Sequence, residues 1–226
     1  MLGGMSFEST KDYYEGINLH VKSVLGGLHS AKILLYSFDF HEIELLQAKD
    51  DWDSLAKMLG FAGENLKKAG ADFLAICTNT MHIVAPEVEN ISKLKVLNLI
   101  DAVGLEIQKS GYKKVALLGT NYTMSKDFYK GKIAKDFGVS VLTPDENDKK
   151  IIHDIIYDEL CLGKIKNSSR NEYIKIINKL KNAGTEAIIL GCTEIPLLLK
   201  EKDSPLPLLN STEIHIKSIG EYMLNV

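Results

Sequence analysis

The 226-residue chain has almost no arginine, few cysteines and no long apolar segment. Arg170 is the only arginine, so at most one guanidinium can grip a carboxylate through two parallel hydrogen bonds. A net charge of −3 does not provide the basic surface typical of nucleic-acid-binding proteins. No apolar run reaches the roughly 18 residues that cross a bilayer, and residues 1–6 do not resemble a signal peptide. We therefore expect a cytoplasmic protein that binds neither nucleic acid nor membrane.

Several common site types are also missing. Three cysteines are an odd number, which argues against a disulfide framework. Cys77 and His82 have no second close-spaced ligand pair, and no Cys-x-x-Cys occurs, so zinc binding is disfavoured. Neither a Walker nor a dinucleotide fingerprint is present. We interpret Cys161 as a packing residue, and His29, His41 and His215 as polar residues with structural partners.

Short aliphatic runs alternate with longer amphipathic stretches, a pattern typical of α/β proteins with parallel sheets. Helices are predicted over Glu8–Leu25, which Gly26 ends, and over Trp52–Ala69, which Gly70 ends. The polar segment Asp145–Lys150 is predicted to be a loop. The predicted strands are Lys32–Phe38, Asp72–Ile76, Lys95–Leu99, Lys114–Gly119, Ser140–Leu142, Glu186–Leu190 and Pro207–Leu209.

The most informative feature is an internal repeat with an offset of 115 residues. It aligns residues 11–14 (Lys-Asp-Tyr-Tyr) with residues 126–129 (Lys-Asp-Phe-Tyr), and residues 77–78 with residues 192–193, both Cys-Thr. The repeat predicts two pseudo-symmetric α/β subdomains, 1–98 plus 210–226 and 99–209, each a parallel sheet flanked by helices. Because ligands bind outside the carboxyl ends of parallel strands, we expect the active site in a cleft between the subdomains.

A cysteine at the end of a strand in each half suggests a specific chemistry. A racemase must remove a proton from one face of a carbon and return one to the other, and two similar bases can do this in both directions. Cys77 and Cys192 could exchange the roles of thiolate and thiol if helix N-termini lowered their pKa to near neutrality. Reach on both sides of the carbon then sets the sulfurs about 7 Å apart, too far for a disulfide.

Polar residues near the two cysteines are the candidate substrate contacts. Hydroxyls, amides and helix-start N–H groups can hold a carboxylate and stabilise developing charge. Glu194 could orient or protonate the neighbouring thiol, and Arg170 could hold a substrate side chain. The complete set of predicted substrate-binding residues is Met5, Ser6, Thr10, Thr78, Asn79, Thr80, Thr120, Lys164, Thr193 and Glu194.

Two other interpretations remain open from these residues. Each cysteine alone could be a small buried apolar residue, and two similar lobes could form a small-molecule binding module without catalysis. Among enzymes, a maleate cis–trans isomerase or an arylmalonate decarboxylase could use the same scaffold. The decarboxylases typically need one cysteine, so the presence of both disfavours them.

Three motifs resemble those of the aspartate/glutamate racemase family, on its aspartate racemase side. They are Gly3-Gly4-Met5-Ser6, Cys77-Thr78-Asn79-Thr80 and Gly191-Cys192-Thr193-Glu194. Glutamate racemases typically have Asp-Ser-Gly at the first motif and Cys-Thr-His at the last. Longer runs, residues 4–10, 37–44 and 78–82, are similar to a branch of broad-specificity amino-acid racemases.

The resemblance implies an isomerase that interconverts L- and D-aspartate. It also implies two α/β subdomains, no pyridoxal phosphate or metal, and a homodimer. Cys77 and Cys192 match the two bases, and substrate contacts map to Asn79, Thr80, Thr120 and Thr193. Broad-specificity and glutamate racemase activity are the alternatives.

The first strand departs from its counterpart in the repeat. Only Met1 and Leu2 precede Gly3-Gly4, whereas five strand residues, 114–118, precede Gly119. Loss of the first residues of a central strand should reduce stability. We therefore expect a version extended at the N-terminus to melt at a higher temperature.

Overall fold

The computed structural model describes residues 1–225. They form two compact units, Met1–Leu99 together with the residues from Thr212 onward, and Ile100–Ser211. The boundaries predicted from the sequence lie one residue earlier at the first junction and two residues earlier at the second.

Helices and strands alternate along the chain. The strands are β1 (Leu2–Gly3), β2 (Tyr36–Ser37), β3 (Leu74–Ala75), β4 (Val96–Leu97), β5 (Lys114–Gly119), β6 (Ser140–Leu142), β7 (Ala187–Gly191) and β8 (Leu208–Asn210). The α-helices are α1 (Phe7–Leu25), α2 (Phe40–Ala48), α3 (Trp52–Lys68), α4 (Ala85–Ser92), α5 (Leu99–Ser110), α6 (Asn121–Ser125), α7 (Asp127–Phe137), α8 (Glu146–Asp158), α9 (Asn167–Asn182), α10 (Ile195–Leu198) and α11 (Ser211–Leu224). Short 3₁₀ helices cover Thr80–Val84, Leu160–Leu162 and Glu201–Asp203.

The first unit contains short parallel strands in the order β2-β1-β3-β4. Leu2 pairs with Tyr36 of β2 on one side and forms a parallel bridge with Ile76, just after β3, on the other. Strand β3 pairs with β4 through Leu74 and Val96. The central strands thus direct their carboxyl ends toward the segments that begin at Gly4 and Cys77.

The second unit contains a four-stranded parallel sheet in the order β6-β5-β7-β8. Five consecutive pairs join β5 to β7, ending at Gly119 and Gly191. Its strand order repeats that of the first unit, with β5 in the place of β1 and β7 in the place of β3. The predicted fold class, α/β with parallel sheets flanked by helices, is confirmed.

Helix α1 illustrates how local sequence positions the first unit's site. The Ser6 side chain caps its N-terminus by accepting the Ser9 N–H at 3.3 Å, and Gly26, at φ +72°, ends it. Tyr13, Ile17 and Val21 are buried along one face at helical spacing. Tyr13 and Ile17 pack in a small core cluster that also contains Cys77.

Each unit has its own apolar core. A cluster of Leu, Ile, Val, Ala and Met side chains in the first unit packs around β3, and Ile76 is fully buried in it. In the second unit, Leu118 and Leu190 from the central strands pack with Tyr173 of α9, and Cys192 belongs to the same cluster. Among residues 1–225, no helix is long and apolar enough to cross a membrane.

Two sequence predictions of local structure were wrong. The segment Asp145–Lys150 is not a loop: the Asp145 side chain accepts the Asp148 N–H at 2.9 Å and starts α8, whose Ile152 and Ile156 enter the core. The predicted strand Lys32–Phe38 is reduced to β2, because β1 offers only two residues for it to pair with.

Candidate active site

In the first unit, Cys77 lies directly beyond β3 and its backbone is fixed on both sides. Its N–H donates to the Leu2 carbonyl at 2.9 Å, and its carbonyl accepts from the Ser9 hydroxyl at 2.9 Å. The side chain is fully buried. Ser9 lies 68 residues from Cys77 in the chain, so this contact could not be predicted from the sequence.

The thiol of Cys77 is protonated at neutral pH. Burial raises its pKa to about 12, and the positive charge of the Met1 ammonium group opposes this rise only in part. The segment behind it is a five-residue 3₁₀ helix rather than an α-helix N-terminus. The expected lowering toward neutrality was therefore wrong, because burial outweighs the local dipoles.

The turn after Cys77 contains an amide with no partner. Asn79 is 3% exposed, and neither its side-chain oxygen nor its nitrogen has a hydrogen-bond partner within the protein. Thr78 is half-buried and Thr80 is buried at the start of the 3₁₀ helix. A buried amide without partners is costly, and both polar atoms of Asn79 are available for a hydrogen bond.

The glycine-rich turn after β1 forms a hydrogen-bonded loop of its own. Gly4 has φ +87° and its N–H donates to the Thr10 hydroxyl at 2.7 Å, and that hydroxyl donates to the Ser6 carbonyl at 2.8 Å. A Cβ on Gly4 would lie 2.3 Å from the Phe38 carbonyl oxygen, so only glycine fits. Met5 is buried and belongs to the core cluster around β3.

In the second unit, Cys192 follows β7 and has an acidic neighbour. Its thiol donates to a Glu194 carboxylate oxygen at 3.0 Å, and the Thr193 hydroxyl donates to the same oxygen at 2.6 Å. Burial, and then the negative charge of Glu194, raise the pKa of Cys192. The helix behind it, α10, has only four residues, so the expected lowering of the thiol pKa was wrong here too.

Thr120 occupies the turn after β5. Its hydroxyl caps α6 by accepting the Thr123 N–H at 3.3 Å. Asn121 is the residue after Thr120, and its backbone N–H donates to His153 Nδ1 of α8 at 3.3 Å. Partial burial lowers the pKa of His153. The sequence did not point to His153, since 32 residues separate it from its partner.

The two cationic candidates of the second unit have different surroundings. Lys164 lies exposed in the segment between the second 3₁₀ helix and α9. Arg170 lies in α9, and its guanidinium donates to the Leu198 carbonyl at 2.8 Å and to the Asn167 side chain at 2.6 Å. The only arginine of the chain therefore has structural partners.

The predicted residues thus fall into two groups. The first unit brings residues 77–80, the Cys77 turn, beside α1. The second unit brings Cys192, Thr193 and Glu194 together at the end of β7. The two groups follow equivalent strands, because the Leu2–Ile76 bridge gives the first unit the order β2-β1-β3-β4 and the second unit has the order β6-β5-β7-β8.

The chain is similar to known proteins over almost its whole length. The family model described as Asp/Glu/Hydantoin racemase matches residues 2–219. This chain belongs to that family. Solved structures of similar proteins share the fold of this chain over almost its whole length.

The crystal structure of an Asp/Glu racemase candidate from Yersinia pestis is 49% identical, with a TM-score of 0.94, covering 99% of this chain and 97% of that one. An aspartate racemase homologue from Pyrococcus horikoshii is 33% identical, with a TM-score of 0.83 and the same coverage. The broad specificity amino-acid racemase RacX of Bacillus subtilis is 23% identical over 74% of this chain and 72% of its own length.

Proposed function

We propose that this racemase-family protein interconverts L- and D-aspartate without pyridoxal phosphate, with Cys77 and Cys192 as its two acid/base groups. The observation that carries the proposal is the equivalent position of the two thiols, each directly beyond the third strand of a unit. Solved relatives from Pyrococcus horikoshii and Picrophilus torridus are described as an aspartate racemase homologue and an aspartate racemase, and support aspartate as the first substrate to test.

The proposed reaction is a proton exchange at Cα. One cysteine, as thiolate, removes the Cα proton and becomes a thiol, and the electron pair is delocalised into the α-carboxylate. The other cysteine, as thiol, delivers its proton to the opposite face and becomes a thiolate. In the reverse direction the two exchange roles, so neither a net proton nor an oxidant is needed.

The raised thiol pKa values are compatible with this role. A thiolate whose conjugate acid has a pKa of about 12 is a stronger base than an ordinary cysteine, but it is present at a low fraction near neutrality. The α-ammonium group of an amino acid is a positive charge that lowers the pKa of a thiol it approaches. We therefore propose that the substrate itself promotes ionisation of the thiol.

Polar groups at the two strand ends would bind the substrate. The buried amide of Asn79, whose oxygen and nitrogen lack protein partners, is the strongest candidate. The hydroxyls of Thr78, Thr80 and Thr120 and the nearby N–H groups would hold the carboxylates, and the Thr193 hydroxyl would do so when it turns away from Glu194. Together these donors would also stabilise the negative charge that develops when the proton leaves.

Glu194 would act on Cys192 rather than on the substrate. Its carboxylate already accepts a hydrogen bond from the Cys192 thiol at 3.0 Å. It can take that proton when a thiolate is required and return it afterwards. No equivalent carboxylate follows Cys77, since Thr78 and Asn79 occupy the matching positions.

A broader substrate range is the second candidate. Arg170 has structural partners in Leu198 and Asn167, so a guanidinium clamp on the side-chain carboxylate of aspartate is not supported. A site that reads the side chain through hydroxyls and amides would accept neutral amino acids too, and RacX of Bacillus subtilis carries that description. A panel of single enantiomers, each followed by loss of optical activity, would rank the substrates.

The two-base scheme is tested by replacing each cysteine separately. Cys77→Ala and Cys192→Ala should each lower racemisation of aspartate at least about 10³-fold, because each removes an acid/base group that the reaction requires. Cys161→Ala is the matched control, since Cys161 lies in a 3₁₀ helix and packs against the core of the second unit. It should leave the rate unchanged.

Deuterated water makes the test more specific. In the native protein every turnover inserts a solvent deuteron at Cα, so exchange accompanies racemisation from either enantiomer. Full racemisation by either single variant would refute the scheme. Loss of activity in Cys161→Ala as well would indicate general damage to the fold instead.

A further inference from the structure

His82 connects the Cys77 turn to the segment after β4. Its Nδ1 lies 2.8 Å from the Thr78 carbonyl oxygen, and its Nε2 accepts the Leu99 N–H at 3.1 Å. The backbone N–H of His82 donates to the Asn79 carbonyl at 3.1 Å. The side chain is 3% exposed, so these bonds are shielded from water.

These partners determine where the imidazole proton lies. An amide N–H can only donate, so Nε2 must be an unprotonated acceptor. A carbonyl oxygen can only accept, so Nδ1 must carry the proton. Both bonds form only in the neutral Nδ1–H tautomer, because a proton on Nε2 would point at the Leu99 N–H.

A second buried histidine next to it has the opposite tautomer. His215 Nε2 lies 2.9 Å from the Leu97 carbonyl oxygen and must donate, and its Nδ1 accepts from the Tyr13 hydroxyl at 2.9 Å. The two imidazole rings meet edge to face with centroids 5.7 Å apart. Burial, and then the proximity of His82, lower the pKa of His215 to about 3, so this neighbour is neutral as well.

His82 completes a series of bonds that fix the Cys77 turn. The Cys77 N–H and carbonyl are held by Leu2 and Ser9. His82 holds the next two carbonyls, that of Thr78 through its ring and that of Asn79 through its backbone N–H. We propose that His82, as the Nδ1–H tautomer, is a positioning residue that fixes the turn carrying the Cys77 thiol and the Asn79 amide. Its effect on turnover rests on the proposed racemase function, whereas its effect on the turn does not.

The tautomer can be measured directly in the native protein. With ¹⁵N-labelled histidine, NMR at neutral pH should show one buried ring protonated at Nδ1 and one protonated at Nε2. Loss of the first set of signals in a His82 variant assigns it. An Nε2–H tautomer for His82 would overturn the proposal whatever the activity of the protein.

Two substitutions separate the two bonds of the ring. His82→Asn keeps a donor near the position of Nδ1 and can still donate to the Thr78 carbonyl. His82→Gln places an acceptor near the position of Nε2 and can still accept the Leu99 N–H. We expect His82→Gln to lower kcat about 100-fold, as a displacement of about 1 Å at a reacting group can do, and His82→Asn to stay within about 10-fold.

Alkylation provides a readout that does not depend on catalysis. Iodoacetamide labelling of Cys77, followed by mass spectrometry, should accelerate at least about 10-fold in His82→Gln but not in His82→Asn, because only the former releases the turn that keeps the thiol fully buried. Labelling of Cys192 is the internal control and should not change.

The outcomes distinguish this proposal from the proposed function. If the native protein racemises no amino acid, the proposed function fails, while the tautomer and the labelling pattern still decide the role of His82. If both variants lose activity equally and Cys77 labelling does not change, His82 does not position the turn. If neither variant folds, the NMR result on the native protein decides.

Discussion

A four-residue segment added in front of Met1 should stabilise the first unit. A largely apolar groove of about 680 Å³ continues the line of β1, with residues 31–34 along one side and residues 70–73 along the other. Because Leu2 pairs with Tyr36 and bridges to Ile76, added residues would run between 31–34 and 71–74. Residues 112–115, which match the four positions in front of Met1 in the repeat, provide the sequence to copy.

The expected gain in the free energy of unfolding is the sum of a burial, a hydrogen-bond and a backbone-entropy contribution. Burying about two apolar side chains and forming about four ladder hydrogen bonds contributes roughly 8 kcal/mol. Ordering about four residues of backbone costs roughly 6 kcal/mol. The net gain of about 2 kcal/mol corresponds to a rise of about 4–8 °C in Tm for a protein of this size.

The extension should also remove a pH dependence. The Met1 ammonium group donates to the Leu34 carbonyl at 2.6 Å, and burial lowers its pKa below the ordinary value of 8.0. The unfolded chain then binds more protons than the folded one between the lowered pKa and 8.0, so stability falls as pH decreases through that window. An added segment moves the charge out of the groove, and this slope should flatten.

Thermal unfolding of three proteins at several pH values tests the reasoning. The chain that begins at Met1 is compared with the copied extension and with a Gly-Ser extension of equal length, which moves the charge but does not fill the groove. Both extensions should flatten the pH dependence, and only the copied one should raise Tm at pH 8. Equal Tm values for the two extensions would show that the groove does not accept a strand.

Two further predictions concern the site itself. Glu194→Gln removes the negative charge that helps to raise the pKa of Cys192, so iodoacetamide should label Cys192 faster at a given pH while racemisation slows; unchanged labelling would argue against the contact. Asn79→Leu replaces an amide without protein partners by an apolar group of similar volume, so the free energy of unfolding should rise by about 1–2 kcal/mol while the KM for aspartate increases. A loss of stability in that variant would show that the amide has a structural partner.

Most of the fold could be predicted because hydrophobic periodicity is a local signal and the repeat is visible within a single sequence. Strands β5 and β6 have the predicted bounds, and α1 differs by one residue at its start. Asp145–Lys150 was misassigned because it contains no apolar residue, and the apolar residues of α8 begin only at Ile151. The predicted strand from Lys32 shortened because its length depends on β1, which is distant in sequence.

The site was only partly predictable for a similar reason. The repeat identified Cys77 and Cys192 as an equivalent pair, since their spacing is visible in one chain. The partners that determine their chemistry are not: Ser9, His82 and the Met1 ammonium group reach Cys77 or its turn only through tertiary structure. Burial likewise cannot be read from the motif, and it reversed the expected direction of both thiol pKa shifts.

The burial of both strand-end cysteines also bears on the chemical durability of the protein. Peroxide and other oxidants attack thiolates that solvent can reach, converting them to sulfenic and then to irreversible acids. Cys77 is fully buried and Cys192 is 8% exposed, and both have raised pKa values. The two sulfurs that the proposed chemistry needs are therefore shielded from oxidative damage by the same packing that holds them in place.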